Sequence, residues 1–343
     1  MAASIIFRPF CRACLRPTFS LVQRKSSKKR LQTWIASRES KGLRERPIHG
    51  APGFGGNEII MRSYLLGLYE KSMPGTLSWK EKLEAAKAAG FDYVEMSIDE
   101  TDAKLARLDM SEAEIEEIKA AMKETGVPFG SICLSGHRRF PLGATKAEDR
   151  ARSMEIMEKA IILAARLGIR TIQLAGYDVY YEEGSEKTRA DFIEGLKKSA
   201  LIAAKYGVQM GFETMETPFM DTTEKAMEYV KLVDSPYLGV YPDSGNITNA
   251  KLIYGGTPSE DLQTGKGHLV AVHLKETVPG KYREIPFGTG HVDFQAVADT
   301  AFALGVRRFV GEFWYKEGTD WAAIQKEAND FLRGYLDKAA EKC

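Results

Sequence analysis

Residues 146–176 read KAEDRARSMEIMEKAIILAARLGIRTIQLAG, and the order of their contents decides the fold. In "KAEDRARSMEIMEKAIILAARLG" (146–168) the apolar residues recur at helical spacing, and the run stops at Gly168. "IRTIQLAG" (169–176) follows at once, short and apolar, with the length of a buried strand. Glycine enters the left-handed conformation that ends a helix, so Gly168 joins the two pieces by a minimal connection.

The same unit recurs along the chain. Apolar runs "YLLGLY", "FDYVEMSI", "VPFGSICL", "IRTIQLAG", "VQMGFE", "YLGVYPD", "LVAVHLKE" and "RFVGEFW" begin near residues 64, 91, 127, 169, 208, 237, 268 and 308. Between them lie helix-period segments such as "SWKEKLEAAKAAG", "SEAEIEEIKAAMKETG", "TRADFIEGLKKSALIAAKYG" and "VDFQAVADTAFALG". Gly90, Gly126, Gly207 and Gly305 stand where Gly168 does. Eight β/α units over roughly 280 residues predict an α/β fold of the (β/α)8 TIM-barrel type, for which about 250 residues is typical. A doubly wound sheet would place a glycine-rich phosphate fingerprint after its first strand, and "LYEKSMPGT" is not one. The least secure unit is the sixth, where the only helical signal is the weak, glycine-interrupted "SEDLQTGKG".

Residues 61–343 are expected to form a single catalytic barrel domain, and residues 1–60 read differently. They hold 12 Lys/Arg against 3 acids, which leaves 36 against 44 for the remainder out of totals of 48 and 47. The mildly acidic body speaks against a protein that grips nucleic-acid phosphates. "FRPFCRACLRPTFSLVQRKSSKKR" carries eight basic residues and no acid, the composition of an organellar transit peptide. The competing reading is an over-extended N-terminus with Met61 as the start, favoured because Met61 stands just before "SYLLGLY". The expected location is cytoplasmic, with organellar import only under the first reading. Cys11 and Cys14 form a lone CxxC without a second ligand pair, and four cysteines are no disulfide framework in a chain of this size. No apolar run reaches membrane-spanning length.

Barrels of this kind place their chemistry at the C-terminal ends of the strands. Strand 5 ends at Glu213, strand 6 at Asp243, strand 7 carries His273 and strand 8 carries Glu312. Each alone has a plain structural use: a helix cap, a turn, a satisfied core histidine, an ion pair. Four successive strands offering a ligand at one mouth point instead to a shared cation. Three carboxylates and an imidazole, without sulfur, suit Mn²⁺ or Zn²⁺ first, and also Co²⁺ or Mg²⁺.

The stretches "LGLYEK", "GFDYVEMSIDETDAKLARLD", "CLSGHRRFPLG", "IQLAGYDVYY", "GHLVAVHLKET" and "PFGTGHVDF" resemble the bacterial L-ribulose-5-phosphate 3-epimerases, also called L-xylulose-5-phosphate 3-epimerases. These belong to the xylose-isomerase-like barrels. The resemblance runs from about residue 64 to the C-terminal helix and leaves out residues 1–60. It implies that Glu213, Asp243, His273 and Glu312 fall where the family keeps its metal ligands, and that Glu213 and Glu312 also transfer protons. It implies a metal-dependent 3-epimerase interconverting L-xylulose 5-phosphate and L-ribulose 5-phosphate through an enediolate, in pentose- and ascorbate-type carbohydrate catabolism. Related epimerases of free sugars carry a histidine three residues after the ligand aspartate and an arginine soon after the ligand histidine. Here those places hold Asn246, and Lys275 followed by Arg283, so the sugar contacts differ.

A sugar phosphate needs a basic anchor away from the metal. "GHRRFP" offers His137, Arg138 and Arg139, and the loop after strand 7 offers Lys275, Lys281 and Arg283 with glycine-rich backbone. An aldose–ketose isomerase acting on a hexulose 6-phosphate is the alternative on the same metal. An abasic-site endonuclease would need more histidines than the four of residues 61–343 and a basic face. A sensor without catalysis has no need of paired glutamates around a metal. The expected partner is a small sugar phosphate, with no nucleic acid and no membrane; a homodimer stays open as the assembly.

Overall fold

The computed structural model describes residues 62–343. The basic leader, with Cys11, Cys14 and Met61, lies outside the described residues. Eight strands run in chain order: β1 (Leu65–Tyr69), β2 (Tyr93–Ile98), β3 (Phe129–Leu134), β4 (Thr171–Ala175), β5 (Gln209–Glu213), β6 (Leu238–Tyr241), β7 (Val272–Leu274) and β8 (Arg308–Gly311). Each pairs in parallel with its neighbour from β1 to β6, β7 pairs with β8, and β8 returns to β1. Between β6 and β7 the circle closes only through isolated bridges, Val240 with Leu269 and Asp243 with His273. The hydrogen bonds there are Val240 N–H to the His268 carbonyl (2.9 Å), Val270 N–H to Val240 (2.8 Å) and His273 N–H to Pro242 (2.9 Å). Pro242 has no N–H to return, which stops a regular ladder at this place.

The helices that cover the barrel start and stop where their end residues dictate. They are α1 (Trp79–Ala89), α2 (Asp102–Leu105), α3 (Glu112–Thr125), α4 (Ala147–Leu167), α5 (Glu186–Tyr206), α6 (Thr223–Val233), α7 (Ser244–Tyr254), α8 (Pro258–Thr264), α9 (Phe294–Ala303) and α10 (Trp321–Ala340). Ser78, Ser111 and Ser185 cap α1, α3 and α5 by accepting the backbone N–H three residues on. Gly90, Gly126, Gly168 and Gly207 end α1, α3, α4 and α5 in the left-handed conformation. The sixth unit differs from expectation. It holds two helices, and α7 begins directly at Asp243, whose side chain caps it through Asn246 N–H. The buried first turns of α7 are Ser, Gly, Asn and Thr as well as Ile247, so they carry no apolar stripe to read as a helix.

Strand alternation divides the interior. On β2, Val94, Met96 and Ile98 pack outward under the helices, in the same layer as Ile118, Ile156, Ile161 and Leu336. Tyr93 points inward and joins Tyr69, Cys133, Tyr241, Ala271 and Val310 inside the barrel. A methyl group added at Gly67 or at Gly130 would lie 2.4 Å from the Tyr93 ring, so both flanking strands need glycine to let that ring lie across them. The phenol reaches the Phe309 carbonyl at 2.9 Å and seals the bottom of the barrel. Chemistry is therefore confined to the upper half, above Tyr93. Among the described residues no helix is long and apolar enough to cross a membrane.

Candidate metal and substrate site

Glu213, Asp243, His273 and Glu312 come together at the C-terminal mouth, all buried, and one ligand atom from each lies within 4.8 Å of the others. A cation with ligand distances of about 2.0–2.2 Å holds donors at most about 4.4 Å apart, so small side-chain movements bring the four onto one ion. The free and the occupied atoms of these side chains separate cleanly. Asp243 Oδ1 accepts Asn246 N–H at 2.7 Å, and Glu213 Oε2 accepts from the buried Gln173 amide. His273 Nε2 meets Glu95 Oε1 at 2.6 Å. The opposite atoms Asp243 Oδ2 and His273 Nδ1, together with Glu312 Oε2, are buried without a hydrogen-bond partner. His273 Nδ1 stands 3.7 Å from Glu213 Oε1 and 3.3 Å from Glu312 Oε2 without the alignment of a hydrogen bond. Buried lone-pair atoms without hydrogen-bond partners, set close together, suit a divalent ion, so these residues fit one and could hold it.

Lys275 is the fifth member of the group. Its ammonium lies 3.1 Å from Asp243 Oδ1 and 3.4 Å from Glu312 Oε2, buried with them. Burial works against ionisation of Glu312, but Lys275 and His273 outweigh it and hold that carboxyl well below the usual carboxylate range. Burial dominates at Asp243 and pushes it up to about 8 despite Lys275. The group is thus poised to shed a proton when a cation takes the place of one.

A cleft of about 140 Å³ opens above the group. Tyr69, Cys133, Ser135, Met215 and Trp314 line it together with Glu213, Glu312 and Lys275. Of the expected anchor residues, Arg138 and Arg283 also line it, and so does Lys71. Arg138 lies over the Tyr180 ring at 4.7 Å, with its buried Nε unpartnered. Arg283 pairs with Glu216 at 2.7 Å and Lys71 with Asp99 at 2.6 Å. His137 and Arg139 are placed elsewhere. His137 is buried against α4, its Nε2 on the Ser153 carbonyl, and burial pushes its imidazole down to about 4. Arg139 pairs with Asp102 at 2.7 Å on the exposed surface. Lys281 is exposed. The glycine-rich backbone after β7 is already engaged, because the buried Glu276 accepts the N–H groups of Gly288 and Val292.

Glu95 and Gln173 are functional candidates that strand-tip reasoning passes over. Both face the barrel interior short of their strand ends, Glu95 by three residues and Gln173 by two, and the signal was an inward polar residue inside an apolar run. Lys71 stands two residues past the tip of β1 and was legible as part of "LGLYEK".

The sequence profile described as "Xylose isomerase-like TIM barrel" matches residues 83–335. The L-ribulose-5-phosphate 3-epimerase UlaE of Salmonella paratyphi A is 43% identical over 282 residues, covering 82% of this chain and 98% of that protein. The enzyme of the same name from Escherichia coli O139:H28 gives the same figures. Among solved structures, an L-ribulose 3-epimerase superposes with a TM-score of 0.65 at 20% identity, covering 81% of this chain and 96% of its own. The D-psicose 3-epimerase of Clostridium cellulolyticum H10 gives 0.66 at 17%, covering 79% and 99%. These two likenesses speak to the fold. The chain belongs to the xylose isomerase-like TIM barrels and, within them, to the family of the L-ribulose-5-phosphate 3-epimerases.

Proposed function

We propose that the protein is a divalent-metal-dependent 3-epimerase that interconverts L-ribulose 5-phosphate and L-xylulose 5-phosphate. The observation that carries this reading is the convergence of Glu213, Asp243, His273 and Glu312 within 4.8 Å in a chain of that kinship. Those four residues would hold the ion, with Mn²⁺ or Zn²⁺ suiting three oxygens and one nitrogen and Co²⁺ or Mg²⁺ also admissible. When bound, the ion would supply Lewis-acid polarisation of the C2 carbonyl next to the reacting carbon C3.

The proton transfers belong to the chain's own carboxylates. Glu213 on β5 and Glu312 just beyond β8 stand three strands apart, so a ketose lying between them presents opposite faces of C3. One glutamate removes the C3 proton and leaves an enediolate; the other returns a proton to the opposite face, which inverts the centre. Gln173 fixes Glu213, and Lys275 stands beside Glu312, so the two bases keep separate places. Each positioned acid/base group contributes roughly 10²–10⁴-fold. Arg138, with unspent hydrogen-bonding capacity at Nε, is the phosphate anchor we favour, with Arg283 and Lys71 on the same cleft.

The test is incubation of L-ribulose 5-phosphate with the full chain loaded with Mn²⁺ or Zn²⁺, followed by stereochemical analysis of the product. L-Xylulose 5-phosphate is expected. An aldose phosphate as product, or turnover confined to a hexulose 6-phosphate, would overturn the reading in favour of an aldose–ketose isomerase.

A further inference from the structure

We propose that Glu95 is a positioning residue for His273, holding the imidazole proton on Nε2 so that Nδ1 turns its lone pair toward the cation shared with Glu213, Asp243 and Glu312. This rests on the cation-binding reading of those four residues.

The geometry leaves the imidazole little choice. Glu95 on β2 and His273 on β7 are both fully buried, and Glu95 Oε1 lies 2.6 Å from His273 Nε2. The second oxygen is occupied as well: Ser131 Oγ–H donates to Oε2 at 2.6 Å, and the Tyr241 hydroxyl donates to it at 3.2 Å. The carboxylate therefore cannot rotate away. A neutral imidazole carries one N–H, and an ionised carboxylate can only accept. The proton must then stand on Nε2, and Nδ1 is left with its lone pair, unpartnered, on the side of Glu213 and Glu312. The Tyr241 ring packs against the imidazole edge-on at 4.9 Å between centroids.

The charge at position 95 argues for the same role. A carboxylate removed from water is costly unless a positive group compensates it. Among the described residues no lysine or arginine pairs with Glu95; its Oε1 meets His273 Nε2, and a cation held beyond His273 would supply the compensating positive charge. A glutamine could accept from Ser131 and Tyr241 without that cost. What a glutamine cannot do is secure the tautomer, since its NH₂ could turn to Nε2 and drive the proton onto Nδ1. The negative charge also raises the basicity of the ligating nitrogen. Residues placed behind a metal-binding histidine in this way typically change metal affinity by about 10–100-fold when replaced.

The experiment uses the full chain, wild type and Glu95→Gln, titrated with Zn²⁺ against a chromogenic chelator. Thermal unfolding without metal serves as a check of folding. In parallel, ¹⁵N NMR of the histidine rings is recorded on zinc-loaded wild type, with His273 assigned by its loss in His273→Gln. The expected results are a zinc dissociation constant raised about 10- to 100-fold in Glu95→Gln, and a His273 ring protonated at Nε2 and coordinated at Nδ1. Two results overturn the proposal: a folded Glu95→Gln that binds zinc within threefold of wild type, or a ring coordinated through Nε2. If Glu95→Gln does not fold, the wild-type ring spectrum decides alone. Failure of the wild type itself to take up one zinc per chain would remove the cation reading and this proposal together, which separates the two failures.

Discussion

Replacing Lys275 by Met keeps the aliphatic stem and removes a buried ammonium from between Asp243 and Glu312, of which Glu312 is the one held ionised. Nζ lies 3.1 Å from Asp243 and 3.4 Å from Glu312, with Asp243 fully buried and Lys275 itself 4% exposed. Taking one partner from a buried ion pair leaves the other charge uncompensated and costs about 3–5 kcal/mol. For domains of about 150–250 residues each kcal/mol lowers Tm by about 2–4 °C; on that scale the metal-free variant should melt roughly 6–20 °C below wild type. A divalent ion delivers positive charge to the same carboxylates, so in excess Zn²⁺ the deficit should shrink by more than half. The assay is calorimetric or circular-dichroism unfolding of both proteins in chelator and in metal. An equal deficit under both conditions would show that Lys275 acts by packing, and no deficit in chelator would show that the carboxylates do not need it. Either outcome refutes the electrostatic argument.

Glu213→Gln and Glu312→Gln should each lower kcat by at least the ~10²–10⁴ of one acid/base group even in saturating metal; near-normal turnover by either variant removes the two-glutamate mechanism. Arg138→Ala should raise KM for the phosphorylated sugar more than it lowers kcat, whereas Arg139→Ala, on the exposed pair with Asp102, should leave both within about twofold; steady-state kinetics of the two variants side by side gives the contrast.

The barrel was legible because its punctuation is local. Helix-ending glycines are single-residue signals, and the eight apolar runs fall where the strands are. The quartet was legible because it occupies strand ends, the one place where a barrel's sequence order maps directly onto a shared mouth. Two kinds of information were not local. Whether His137 or Arg138 faces the cleft depends on how a 3-10 turn at Gly136–Arg138 sits against α4, and adjacent residues there diverge completely. Glu95 meets His273 across 178 residues of chain, and nothing in either segment announces the other. The helix α7 escaped reading because its first turns are buried by the loop after β7 rather than by an apolar stripe; Thr277, for example, donates from its hydroxyl to the Gly245 carbonyl.

The join between β6 and β7 has a consequence for motion. Every other junction of the barrel is a ladder of paired strands, while this one rests on two bridges beside a proline. Local opening follows the places with the fewest backbone hydrogen bonds, so breathing of the metal-free barrel should begin at this slit. Asp243 and His273 are the residues bridged across it. An ion gripped by both acts as a clasp on the two lips, and the amides of Val240, Val270 and His273 should then exchange with solvent more slowly than in the stripped protein. Catalytic competence and closure of the cylinder are, on this view, obtained in one binding event.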